Sequence, residues 1–282
     1  MLLLPLLLLL LPPALPLSPL VALTRQSPAA DRPLADMLPE SVPTVNLPCV
    51  HFTMHPLDTL FPPPPGAPAA LSSPATLSSL LSSGSFTYTV ITSAEAARVL
   101  LSHLSASGLS PASLPTSFAA VGPATARALE AGGVAVSFVP PLASARSLAE
   151  TLPHPGEAGP ARVLYPCSEL ADGALPELLA GREPPFAALR CDTYTTGSVR
   201  WPDPLAGDAV TVAAFGSPSA VRGWVENTPL RPPAACIGAT TRAECLRQGW
   251  GEGECYAPGR PGVEGWGEAV REALEKGGGG GE

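Results

Sequence analysis

The feature that most constrains this chain is that it repeats itself. Thr89-Val90-Ile91-Thr92-Ser93-Ala94-Glu95-Ala96, followed by Ala120-Val121-Gly122-Pro123-Ala124-Thr125-Ala126-Arg127, recurs as Val212-Ala213-Ala214-Phe215-Gly216-Ser217-Pro218-Ser219-Ala220, followed by Cys236-Ile237-Gly238-Ala239-Thr240-Thr241-Arg242-Ala243. In each copy an apolar strand-like run meets a small hydroxyl residue and then a helical pattern. A second apolar run meets Gly, two residues and Thr, and Gly133 or Gly249 closes the copy. The repeat predicts two similar half-proteins.

The rest of the chain extends this alternation. Strands are expected over 20–24, 44–47, 87–92, 118–121, 135–139, 162–165, 187–190, 209–215 and 234–237. Helices are expected over 94–104, 125–131, 145–152, 173–180, 218–226, 241–248 and 263–275, each opening near Ser, Thr, Pro or Gly and ending near Gly or Pro. Strands alternating with helices mean mostly parallel sheets flanked by helices. The Pro/Ser/Ala-rich stretch 61–85 reads as a loop plus a short helix begun by Ser73-Pro74, and 277–282 reads as a flexible tail.

The physics of the turns points toward anions. A strand ending in Ser or Thr before a helix offers an N-cap hydroxyl and unpaired N–H groups at the positive end of the helix dipole. Gly122 and Gly238 admit a ligand or another backbone, and parallel sheets gather such turns at the strands' carboxyl ends. Any one such turn alone is usually just a helix cap. Four in a duplicated arrangement favour a site, without naming its ligand.

Composition narrows the partners. The net charge is −8 and Lys276 is the single lysine, which argues against a nucleic-acid or anionic-membrane surface, since those need clustered cations. Any anionic ligand must then be met by local donors. The six cysteines form no CxxC pair and the four histidines do not cluster with them, so buried free thiols are expected, with neither metal nor disulfide framework. Residues 1–19 contain a Leu/Pro-rich leader with the length of a signal core but no preceding positive charge. It is either a targeting segment or a low-complexity N-terminus, and it is too short and broken to span a bilayer.

The strings Phe215-Gly216-Ser217-Pro218-Ser219-Ala220-Val221 and Ala235-Cys236-Ile237-Gly238-Ala239-Thr240-Thr241-Arg242-Ala243 resemble the paired signature of the uroporphyrinogen-III synthase family. Val21-Ala22-Leu23-Thr24-Arg25, Thr92-Ser93, Val121-Gly122-Pro123-Ala124-Thr125-Ala126, Leu164-Tyr165-Pro166 and Cys191-Asp192-Thr193-Tyr194-Thr195-Thr196 follow in the family's order, so the resemblance runs from about Leu20 to Lys276.

The resemblance implies two α/β lobes joined by a two-stranded ladder. One lobe would be discontinuous, 20–46 with 197–276; the other would be 54–190, with links at 47–53 and 191–196. It implies closure of hydroxymethylbilane, a linear tetrapyrrole bearing carboxylates, with inversion of the last ring and loss of water, by a monomer without cofactor or stable membrane association. Tetrapyrrole chemistry behind a hydrophobic leader implies a plastid.

Tyr194 is the implied donor to the leaving hydroxyl, because a phenol stays protonated near neutrality; its alternative is a strand tyrosine packing its ring. Ser93, Gly122, Thr125, Ser217, Ser219, Gly238, Thr240 and Thr241 are implied to hold substrate. Arg25 is either a carboxylate ligand or a solvated loop arginine. Where many family members place a base after the Tyr-Pro pair, this chain has Ala171-Asp172-Gly173, so Arg162 or Arg182 must substitute or that contact is missing. Two other functions fit the same residues: a non-catalytic two-lobed protein that binds a small anion, and a degenerate family member acting as an interaction module.

Overall fold

The computed structural model describes residues 19–26, 28–63, 72–156, 161–202, 209–259 and 262–277. The leader thus lies almost entirely outside the described residues, as do 64–71 of the proline-rich stretch and 278–282 of the tail.

In chain order the elements are β1 (Val21–Leu23), α1 (Pro28–Ala35), β2 (Thr44–Asn46), β3 (Val50–Met54), β4 (Leu60–Phe61), β5 (Ala75–Thr76), α2 (Leu77–Ser82), β6 (Tyr88–Ile91), α3 (Ala94–Ala106), β7 (Ser117–Ala120), α4 (Pro123–Ala131) and β8 (Val136–Phe138). They continue with α5 (Ala145–Thr151), β9 (Ala161–Ser168), α6 (Ala174–Ala180), β10 (Phe186–Ser198), β11 (Val212–Phe215), α7 (Pro218–Asn227), β12 (Ala234–Cys236), α8 (Ala239–Arg247), β13 (Cys255–Tyr256) and α9 (Val263–Gly277).

The chain divides into two compact units, Met1–His51 with Ser198–Glu282, and Phe52–Gly197. The boundaries fall within β3 and at the end of β10, which are neighbours in one sheet. The discontinuous unit is built on a sheet ordered β13-β12-β11-β1-β2, parallel at every pairing. The continuous unit is built on a sheet ordered β3-β10-β9-β6-β7-β8, parallel from β10 to β8.

Helices on both faces explain why these strands read as unbroken apolar runs: β1, β11 and β12 are buried at every residue. In the discontinuous unit Val21, Leu23, Val212 and Ala214 pack against Leu34 and Trp266. Phe215 meets Trp224 at 5.7 Å and Trp250 at 5.6 Å, both edge-on. In the continuous unit Ile91, Phe118, Leu164 and Leu189 form one cluster, and Val90, Val163, Tyr165 and Phe186 another.

The helix expected from Ser73-Pro74 begins instead at Leu77. Residues Ala75–Thr76 are drawn into an antiparallel pair with Leu60–Phe61, and the Thr76 hydroxyl then accepts from the Ser79 N–H at 3.3 Å as the cap. Helix α1 has no sequence signature because Pro33 interrupts its interior. The two-residue strands β4, β5 and β13 are too short to show a period.

Candidate active site

The duplicated turns fold alike. In the continuous unit β6 leads to Ser93, whose hydroxyl accepts from the Ala96 N–H at 3.0 Å; in the other, β11 leads to Ser217, whose hydroxyl accepts from the Ala220 N–H at 3.2 Å. The second strand of each copy ends at a glycine N-cap, Gly122 before α4 and Gly238 before α8. Both glycines have extended backbone, so conformation does not require them. Space explains Gly122: a Cβ there would stand 2.9 Å from the Ala143 Cβ, so the close approach it permits is to the loop before α5. Thr125 and Thr241 occupy the third helical position of their turns and are buried, whereas Thr240 is exposed and Ser219 half-buried.

Tyr194, on β10, is 4% exposed and lies edge-on to Phe52 at 5.9 Å. Burial pushes its phenol above the usual tyrosine value, a hydrogen bond with the Ser93 side chain pulls the other way, and the Glu95 carboxylate adds a smaller push upward. The structure therefore brings together Tyr194 and Ser93, two of the residues singled out in the sequence. The phenol remains protonated across the neutral range.

Two further participants at the same strand ends had no role assigned from the sequence. Tyr165, on β9, is buried, shares a hydrogen bond with Thr92 at 3.3 Å, and is pushed up to about 12 chiefly by burial. Arg190, on β10, donates from Nε to Asp192 at 2.7 Å and from its terminal nitrogens to the carbonyls of Ala171 at 2.8 Å and Glu169 at 3.0 Å. It is thus the cation that governs the turn after β9, the place where Asp172 departs from the family pattern. Arg162 and Arg182 do not serve there. Arg162 sits at the opposite, amino end of β9, while Arg182 donates to the Leu152 carbonyl at 2.5 Å and lies over Phe186, near the start of β10. The Asp172 carboxylate accepts from the Ala174 N–H at 3.3 Å at the start of α6.

In the discontinuous unit Arg25 lies two residues beyond the end of β1 and over the Trp266 ring, 4.8 Å from its centroid. Gly216 makes this stack possible, since a Cβ there would sit 3.0 Å from the Arg25 Nε and 3.2 Å from Trp266. That glycine is therefore a contact surface for the arginine. Asp31 on α1 is 1% exposed and accepts from the Asn46 Nδ2 at 2.6 Å. Burial raises its carboxyl to about 6, against the lowering effect of Arg25. All six cysteines are free and buried, and no group of three or more His, Cys, Asp or Glu that could hold a metal occurs among the described residues.

These features define a class: an α/β protein with two parallel-sheet units, each carrying the same pair of strand-to-helix turns at the carboxyl ends of its strands. Solved structures share that fold. A mutant uroporphyrinogen III synthase from the extremely thermophilic bacterium Thermus thermophilus matches with TM-score 0.54 and 17% identity over 92% of this chain and 99% of that one. The uroporphyrinogen-III synthetase of Helicobacter pylori 26695 matches with TM-score 0.56 and 16% identity, at the same coverage.

Sequence is more specific. The family model described as Uroporphyrinogen-III synthase HemD matches residues 66–265. A protein of Oryza sativa subsp. japonica named "Uroporphyrinogen-III synthase, chloroplastic" is 35% identical over 211 residues, 70% of this chain and 67% of its own length. The chain belongs to the uroporphyrinogen-III synthase family.

Proposed function

We propose that this protein closes hydroxymethylbilane to uroporphyrinogen III, inverting the last ring and releasing water, with Tyr194 as the proton donor. The observation that carries the assignment of Tyr194 is its buried, protonated phenol beside the capping hydroxyl of Ser93, in a chain of this family.

The Tyr194 O–H donates its proton to the terminal hydroxyl; the C–O bond breaks, water leaves, and the electron-rich pyrrole becomes an azafulvene cation. The substituted carbon of ring D attacks that cation to give a spiro intermediate. One of its bonds then breaks, and the fragment recloses the other way round. The proton lost on rearomatisation returns to the tyrosinate. The substrate's own pyrroles supply the electrons, so the protein has to orient the chain, donate one proton and exclude water.

Arg25, Ser217, Ser219, Gly238 and Thr240 are suited to meeting the substrate's carboxylates, through a guanidinium held flat on Trp266, hydroxyls and helix N-terminal N–H groups. In the other unit Ser93 and Gly122 offer the corresponding groups, and Thr125 and Thr241 stand buried in the first turns of α4 and α8. The protein is read as a monomer working in a plastid, in keeping with its rice relative's name. No helix among the described residues is long and apolar enough to cross a membrane.

The test is a coupled assay in which hydroxymethylbilane is generated in place and the oxidised porphyrin isomers are separated. Uncatalysed closure yields the uninverted type I isomer. A dominant type III product is expected; type I alone from folded protein would overturn the enzymatic reading and leave the anion-binding one.

A further inference from the structure

Tyr194 is not on the face of β10 that simple alternation assigns it. Successive strand residues point to opposite faces, so Tyr194 should share a face with Arg190 and Asp192. Those two are joined, guanidinium to carboxylate, at 2.7 Å. Tyr194 packs instead in the apolar cluster that contains Leu189 and Cys191, residues of the other parity. The ladder shows how. Asp192 pairs with Cys167 and Tyr194 with Ser168, so Thr193 is an extra residue opposite no position of β9. Such a bulge re-aims the side chain beyond it, and in a parallel ladder it is rare.

Several bonds hold the bulge. The buried Thr193 hydroxyl donates to the Cys167 carbonyl at 3.2 Å. His55 donates its backbone N–H to the Thr193 carbonyl at 2.9 Å and its ring Nδ1–H to the Asp192 carbonyl at 2.8 Å. Beyond the bulge the Glu169 N–H donates to the Tyr194 carbonyl at 2.8 Å, which fixes the new register. Without these bonds, regular pairing would set Thr193 opposite Ser168 and carry the Tyr194 ring through the sheet, away from Ser93.

We infer that Thr193 and His55 are positioning residues for the proposed reaction, locking a one-residue bulge that turns the Tyr194 hydroxyl toward Ser93. The inference rests on Tyr194 being the proton donor. It concerns how the phenol is aimed, so it can be tested apart from that role.

The experiment uses the full chain carrying Thr193→Val and His55→Leu, singly and together, and a deletion of Thr193. Two quantities are read: kcat and KM for type III formation, and the ultraviolet difference titration of Tyr194. With four tyrosines in the chain, the Tyr194 signal is isolated by subtracting the same titration of the matching Tyr194→Phe protein. The double variant is expected to lose about tenfold in kcat with KM within about twofold, the signature of a lost transition-state contact. Its Tyr194 transition should fall toward the free-phenol value of about 10.

Deleting Thr193 should leave both readings near those of the parent. In an unbulged strand the residue after Asp192 takes the Cys191 face anyway, whereas a merely structural role for Thr193 predicts damage. A double variant with unchanged kcat and unchanged titration overturns the inference. If the double variant does not fold, a folded deletion protein that has lost both signals overturns it equally. Full activity in Tyr194→Phe would instead remove the catalytic role of Tyr194 and leave the titration test standing.

Discussion

The two serine turns are the same piece of structure put to different use. Around Ser93 the neighbours are Tyr194 and Glu95, and the donor on offer is a buried phenol. Around Ser217 the neighbours are Gly216, Arg25 and Trp266, and the donor is a guanidinium resting on an aromatic face. Strand, cap and helix are shared, yet neither Tyr194 nor Arg25 belongs to the repeat: Tyr194 arrives on β10, two strands from β6 across β9, and Arg25 on the turn after β1, the strand beside β11. The duplication thus supplies the same scaffold twice, and the non-repeated segments set different groups beside it.

If that division holds, substitutions in the two turns should separate kinetically. Tyr194→Phe is expected to have the largest effect, lowering kcat by about 100-fold with little change in KM, as fits loss of a general acid. Steady-state rates and isomer ratios for type III product check this, and an unchanged kcat would erase the contrast.

The next effect is on stability. Because Asp31 is raised from 3.8 to about 6 in the fold, its contribution is fully present below the unfolded value and is lost as pH rises through about 6. Asp31→Asn should therefore flatten the difference in unfolding free energy between about pH 4 and about pH 7 by roughly 2 kcal/mol, leaving the variant no less stable than the parent above about pH 7. Denaturant unfolding of both proteins at each pH measures it. A parallel pH dependence in parent and variant would show that the carboxyl titrates normally.

Arg25→Ala should raise KM about tenfold with kcat nearly unchanged, the cost of about one charge-assisted contact made equally to substrate and transition state. Gly216→Ala is the mildest test. Its Cβ would press on the Arg25 Nε and on Trp266, and the flexible arginine should yield with a rise in KM of about threefold. A kcat effect from either would mean that the guanidinium acts on the reacting atoms, merging the two roles that the comparison separates.

Much of the scaffold was legible because its signals are local. The caps at Ser93 and Ser217 are bonds from a residue to the third one following, so the string that encodes each lies within one turn. The apolar runs over β1, β6, β7, β9, β11 and β12 announce strands covered on both sides. The structural equivalence of the Ser93 and Ser217 turns was legible in the same strings. Less visible were elements whose stability comes from partners: the hairpin of β4 and β5, the edge strand β13, and the proline-interrupted α1.

The chemistry at the turns was less legible for the same reason. Arg190 reads as an ordinary strand residue until β9 brings the carbonyls of Glu169 and Ala171 within 3.0 Å of it. Gly216 reads as slack in a turn until Arg25, far away in the chain, lies against it.

By itself, then, the amino-acid sequence determined the duplicated strand-turn-helix units, their capping hydroxyls and the parallel sheets, since propensity, capping and hydrophobic period act over a few residues. Tertiary structure decided which face of β10 carries Tyr194 and which side chains each turn receives. Those outcomes depend on ladder register and on contacts between distant segments. A single extra residue between Asp192 and Tyr194 is enough to move a side chain from one face of a sheet to the other.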